Sequence, residues 1–291
     1  MYYIFNFIAF IILSFLIILV TKKMMIYSIR RIAIFLRWKN NIVGQLLGYA
    51  TSTPELIGAI VSGSIGMIET SIINVLSSNI VNLVLVLITA MCFKKTKSIF
   101  NKKFKYDYIM VVITIVLPYI LYKFNYANKL ETIPLLIIVY LLYQLFSKYN
   151  NYFASEKEEL KLEKQSIRLG TKILKKKKIR VDRKKKLRKS IVVLVISLIL
   201  LYVLGTLLGN ILENLGRRLN VPEVVLGIVL GIITSIPETI TFISSFHRHR
   251  RNKNLNNDYG AVEVVNNLVT SNVSNLAIIQ TVAIICFLLF A

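Results

Sequence analysis

Two carboxylates stand in runs of residues otherwise apolar enough to lie in lipid. Glu55 closes Gly48-Tyr49-Ala50-Thr51-Ser52-Thr53-Pro54-Glu55, and Glu238 closes Gly231-Ile232-Ile233-Thr234-Ser235-Ile236-Pro237-Glu238. Burying a carboxylate in hydrocarbon is costly unless something compensates it, and a bound cation is the simplest compensation. Each acid is followed by a second motif, Ser78-Asn79-Ile80-Val81-Asn82 and Ser271-Asn272-Val273-Ser274-Asn275. Thr51 and Thr234 precede the acids by one helical turn and share their face; Ser52 and Ser235 add hydroxyls on the adjacent face. Ser78 and Asn82 stack one turn apart, as do Ser271 and Asn275. The set is oxygen only. Calcium takes about six to eight such ligands in a flexible shell, whereas soft metals select Cys and His. Two carboxylates neutralise one divalent ion, or carry several sodium ions with a small excess.

These residues must be positioned by interrupted helices. Pro54 leaves the carbonyl of Ala50 without its helical donor, and Pro237 does the same for Ile233. In a bilayer such groups survive only beside protein or a cavity. The two acid motifs superpose with an offset of 183 residues (55 to 238) and the second motifs with an offset of 193 (82 to 275). Gly44 and Gly48 fall on Gly227 and Gly231, and Asn74 falls on Asn267.

Composition places this repeat in a membrane. Of 291 residues 55% are hydrophobic, and the mean hydropathy is +0.63. Eight stretches are long and apolar enough to cross the bilayer: near 3–20, 41–63, 68–93, 107–123, 131–147, 190–212, 222–246 and 261–291. The expected architecture is an all-α polytopic membrane protein of about 8 transmembrane helices. It comprises a first repeat (1–147), a basic connector (148–189) and a shortened second repeat (190–291). The first stretch reads as an uncleaved helix rather than a signal peptide. The net charge of +23 comes from 37 Lys+Arg against 14 Asp+Glu, and the basic residues crowd into alternate connections. These hold Lys22 to Lys39, Lys94 to Lys105, about sixteen between Lys157 and Lys189, and Arg248 to Lys253. The positive-inside rule then puts the N-terminus outside and the connector in the cytoplasm of a plasma or inner membrane. Five stretches separate equivalent helices, an odd number, so the repeats enter the membrane from opposite sides; inverted repeats meeting at the midplane are a transporter architecture.

Other features read more plainly. The connector is a solvated linker or an amphipathic helix on the anionic inner leaflet; with no groove-reading motif, it gives no nucleic-acid binding. Cys92 and Cys286 read as small buried hydrophobes. His247 and His249 read as loop residues, Glu69 and Glu263 as exposed span ends, and Glu213 and Glu223 as residues of outer loops.

The paired motifs at 48–55 with 78–82, and 231–238 with 271–275, resemble the alpha repeats of the cation/calcium exchanger superfamily, nearest to prokaryotic sodium/calcium exchangers. The resemblance covers about residues 40–93 and 222–285. It implies ten helices with ion sites between the second, third, seventh and eighth, and alternating access by sliding of the first and sixth. It implies calcium held by Glu55, Glu238, Thr51 and Thr234, and sodium held among Ser52, Ser78, Ser235 and Ser271. Four departures stand out. Asn275 replaces the usual Asp, Ser77 and Thr270 replace the usual glycine, and Ile233 replaces Ala. The last two helices have no counterpart here.

The expected function is secondary exchange of calcium for sodium at a two-glutamate site, with protons or potassium as alternative driving ions; the protein is a transporter, not an enzyme, and needs no cofactor. A transport-inactive member serving as a membrane binding or regulatory subunit, and a polybasic membrane scaffold, are the rival readings. Expected partners are the cations and membrane lipids, with a homo-oligomer left open.

Overall fold

A computed structural model of the chain describes residues 2–36, 40–153, 181–218, 220–251 and 259–290. Among these residues every regular element is a helix. The first repeat contains α1 (Tyr2–Val20), a π turn (Thr21–Ile26), α2 (Tyr27–Leu36), α3 (Asn40–Thr51), α4 (Thr53–Ser64) and α5 (Ile68–Cys92). It continues through the short α6 (Thr96–Ile99) to α7 (Lys105–Lys123) and α8 (Thr132–Phe153). The second contains α9 (Val181–Glu213), α10 (Glu223–Thr234), α11 (Ile236–Arg251), α12 (Tyr259–Val273), a π turn (Ser274–Ile279) and α13 (Gln280–Phe290).

Six helices are long and apolar enough to cross a membrane: Phe5–Ile32, Ile68–Cys92, Lys102–Lys123, Leu187–Gly216, Glu223–His247 and Gly260–Phe290. The other two expected stretches are helical but fall short of that length. One is divided into α3 and α4, and the other yields the shorter apolar run Thr132–Ser147. The outward faces carry apolar side chains such as Phe15, Tyr202, Ile199 and Leu141, each more than half exposed. That is how an all-helical body presents itself to lipid, because every backbone group is satisfied within its own segment. The turn after α4 uses Gly66 at φ 81°, a conformation that costs glycine nothing and strains other residues.

Helices flank the expected connector: α8 runs on to Phe153 and α9 begins at Val181, while 154–180 lie outside the described residues. Several other expectations need correction. Phe246–Arg251 are not a loop, because α11 carries its helix through them, with His247 exposed on it. The side chain of His249 and residues 252–258 lie outside the described set. Cys92 is exposed rather than buried, and both cysteines are free. Glu223 opens α10 and accepts the backbone N–H of Thr70 at 3.0 Å, capping the first turn of α5 from the opposite repeat. Glu69 accepts a hydrogen bond from the Tyr122 hydroxyl.

The core has two apolar clusters. One gathers α5, α7, α8, α11, α12 and α13 around Phe242, Phe246, Leu136 and Met110. The other joins α1, α3, α9 and α10 around Phe10, Leu47, Leu201 and Leu230. Between them the repeats cross: α3 lies on α12, and α10 lies on α5. A Cβ on Gly48 would stand 2.8 Å from Thr270 Cβ, 2.9 Å from Asn267 O and 3.0 Å from Ser271 N. A Cβ on Gly231 would collide with Ser77 Oγ and stand 2.9 Å from Asn74 O and 3.0 Å from Ser78 N. The two contacts are images of one another. Small residues let the backbones touch, the usual device of helix association in lipid. Ser77 and Thr270 are accommodated because the facing residue is glycine in each case.

Candidate functional site

The backbone breaks once in each repeat, and in the same way. Ser52 sits at φ −77°, ψ 3° and Ser235 at φ −77°, ψ −2°, each between two helices. The interruption is narrower than the prolines alone predict. Ser52 N–H still reaches Gly48 O at 3.1 Å and Leu56 N–H reaches Ser52 O at 3.0 Å, with Ser235 and Thr239 repeating the pattern. Pro54 enters in the first turn of α4, where a missing N–H does no harm. Glu55 and Glu238 therefore project from the first turns of α4 and α11, where the helix dipole favours a negative charge.

Both acids are fully buried and lie close enough to repel one another. Each faces the threonine of the opposite repeat: Thr234 lies beside Glu55, and Thr51 beside Glu238. Glu238 Oε1 accepts from Ser271 Oγ at 3.1 Å. Neither oxygen of Glu55 closes a hydrogen bond of ordinary geometry, and neither does Glu238 Oε2.

The second motifs form a reciprocal clasp. Asn79 Nδ2 donates to Asn272 O at 3.3 Å, and Asn272 Nδ2 donates to Asn79 O at 3.1 Å. Asn82 Nδ2 donates to Asn272 Oδ1 at 3.2 Å, and Asn275 Nδ2 to Asn79 Oδ1 at 3.0 Å. Asn82 Nδ2 also reaches Ser271 Oγ at 3.3 Å, and Asn275 Nδ2 reaches Ser78 Oγ at 3.0 Å. Every bond has its image with the repeats exchanged, the signature of a local two-fold axis. The donors of Asn82 and Asn275 are thus consumed, while their carbonyl oxygens stay without a donor.

All ten residues singled out by spacing are buried, and nine of them meet across the repeats or face an acid. Ser52 Oγ bridges to Ser271 Oγ at 3.0 Å. Both serine hydroxyls turn back to the glycine one turn earlier, Ser52 to Gly48 O at 3.0 Å and Ser235 to Gly231 O at 2.8 Å, but Ser235 makes no matching bond to Ser78. Among the described residues no three His, Cys, Asp or Glu side chains converge, so the centre is two carboxylates completed by neutral oxygens.

Spacing alone passed over two groups. Asn79 and Asn272, visible within the motifs, hold Asn82 and Asn275 in place. Glu263, expected at an exposed span end, is 1% exposed; it pairs with Arg30 at 3.2 Å and accepts from Ser245 Oγ at 2.7 Å. Its partners come from α2 and α11, and no local pattern points to them.

Comparison with known proteins adds one finding. The profile of the family described as sodium/calcium exchanger protein matches residues 6–149 and 189–289. Curated proteins yield no match, and neither do solved structures. The family match spans most of the chain, including both acid motifs and both asparagine motifs, and on that ground the chain belongs to the sodium/calcium exchanger family.

Proposed function

We propose that this chain is a secondary antiporter that exchanges calcium for sodium at the centre between Glu55 and Glu238. One observation carries the reading. Five buried oxygens in one region close no hydrogen bond of ordinary geometry: both of Glu55, Glu238 Oε2, Asn82 Oδ1 and Asn275 Oδ1. Buried acceptors ordinarily have partners, and a group of acceptors that share no proton suits a cation. Oxygen ligands of this kind favour calcium and sodium over softer metals. Thr51 and Thr234 supply further oxygens beside the opposing acids.

The mechanism is competition. Calcium and sodium claim the same oxygens, and two uncompensated carboxylates this close repel and resist burial. The empty centre is therefore costly to carry between the two faces, which couples the movement of one ion to the other. The same reading sets the N-terminus outside, the basic connections in the cytoplasm, and the protein in a plasma or inner membrane.

Radiolabelled calcium uptake into proteoliposomes, with sodium, potassium and pH gradients imposed in turn, tests the proposal and identifies the driving ion. Glu55→Gln and Glu238→Gln should each abolish uptake while the protein still folds. Wild-type-like uptake in either variant refutes the two-glutamate centre. Calcium binding without flux under any gradient points instead to a non-transporting binding subunit.

A further inference from the structure

A continuous line of buried polar groups leaves the two-glutamate centre on one side only. Thr51 Oγ1, which is closest to Leu47 O at 2.9 Å, also lies 3.4 Å from Asn267 Oδ1, and Asn267 Nδ2 donates to Thr241 Oγ1 at 2.5 Å. Ser245 Oγ lies 2.7 Å from both Thr241 O and Glu263 Oε1, two acceptors that share its one proton. Thr51, Asn267, Thr241, Ser245 and Glu263 are each at most 2% exposed. Ser271, Asn267 and Glu263 follow one face of α12 at intervals of four, so Glu263 lies roughly 12 Å along the helix from Ser271. Glu263 stands near the start of α12, close in the chain to the end of α11, whose last turns include Arg248, Arg250 and Arg251, so the line runs toward the basic face of the protein.

The image of this line in the first repeat is broken. Gly58 stands where Thr241 would be, Thr70 stands where Glu263 would be, and the amide of Asn74 finds no partner for either atom. The first repeat has no acid of its own at that position, where Glu223 of the second repeat caps Thr70 instead, whereas Glu263 is filled by a cation: Arg30 Nη2 lies 3.2 Å from Glu263 Oε1 and 3.5 Å from Ser245 Oγ. Arg30 belongs to α2, which continues from α1 through a π turn, so this cation rides on a different helix from the site it fills. A carboxylate this buried cannot be left uncompensated when its partner departs.

We infer that Glu263 and Ser245 form an additional cation site between the two-glutamate centre and the basic face, and that Arg30 is its built-in occupant. When α2 draws back, the transported cation takes the place of the guanidinium; when α2 returns, Arg30 expels the cation and closes the route. The inference rests on the exchanger reading and adds a binding site and a tethered competitor to it.

Reconstituted full-length protein of known orientation tests it, by the half-saturating calcium concentration measured from each face. Arg30→Gln removes the competitor, so the value on the basic face should fall about five- to tenfold, as when a competing closed state is removed. The double variant Arg30→Gln/Glu263→Gln should lose that gain, and the opposite face should be unaffected in both. Arg30→Lys keeps the charge and the fold but loses the planar fork, and should give a smaller fall, about two- to threefold. Equal values for the single and double Gln variants, equal shifts on both faces, or no change in the Lys variant overturn the site. Absence of countertransport in the wild type refutes the exchanger reading instead. Equilibrium binding of radiolabelled calcium, greater in Arg30→Gln than in the double variant, then still decides the site.

Discussion

The asparagine clasp allows a quantitative test, because Asn79 makes one bond outside it that Asn272 lacks. The side chain of Asn79 makes three bonds: it donates to Thr114 O at 2.9 Å and Asn272 O at 3.3 Å, and accepts from Asn275 Nδ2. The side chain of Asn272 makes two: it donates to Asn79 O and accepts from Asn82 Nδ2. A buried hydrogen bond contributes about 1 kcal/mol net. Asn79→Ala should therefore cost about 3 kcal/mol and Asn272→Ala about 2 kcal/mol. At roughly 2–4 °C per kcal/mol for a chain of this size, the melting temperature should drop further in the Asn79 variant, by a margin of a few degrees. Heating the detergent-solubilised protein and measuring the fraction that remains monodisperse by size exclusion gives the order. Both variants should also bind calcium more weakly, since Asn275 and Asn82 lose the partners that aim them. A greater loss in Asn272→Ala, or a neutral Asn79→Ala, would refute the assigned network.

Other outcomes follow from the same geometry. Gly48→Ala places a methyl about half an ångström too close to Asn267 O and Ser271 N; overpacking of this kind costs about 1–3 kcal/mol, and thermal unfolding should register it along with weakened calcium binding. Ser52→Ala should impair transport more than Ser235→Ala, because only Ser52 bridges to Ser271; paired uptake assays decide the order. Lowering the pH should weaken calcium binding, since protons compete for the same carboxylates, and titration calorimetry at several pH values reads the trend. Tyr49→Phe breaks the hydroxyl contacts to Tyr140 at 3.1 Å and Gln144 at 3.3 Å. It should loosen α8 from α3, which proteolysis of the α7–α8 connection can report.

Much of the centre is legible in the amino-acid order because its geometry is local. An acid four residues after a threonine, and an asparagine four after a serine, fix which side chains share a helical face before any folding is known. What eluded spacing depends on contacts between distant elements. The different fates of Ser52 and Ser235 arise from how each meets the opposite repeat, although their backbone angles agree. Glu263 looks like an interface residue until α2 brings Arg30 across to it. The charged end of α11 looks like a loop because its residues suit water, yet nothing in Phe246–Arg251 breaks a helix, and the helix simply outlasts the apolar stretch.

The clasp also bears on how the protein is made. Its donors and acceptors lie 193 residues apart in the chain, so Asn79 and Asn82 leave the ribosome long before Asn272 and Asn275. At about 5–20 residues per second, the early half waits on the order of ten to forty seconds with its amides and Glu55 unmatched. During that interval water, an insertase or a chaperone must shelter them, and a pause in translation between the halves would lengthen the exposure. Biogenesis of this molecule should therefore be more sensitive to delays between the two asparagine motifs than to delays after the second.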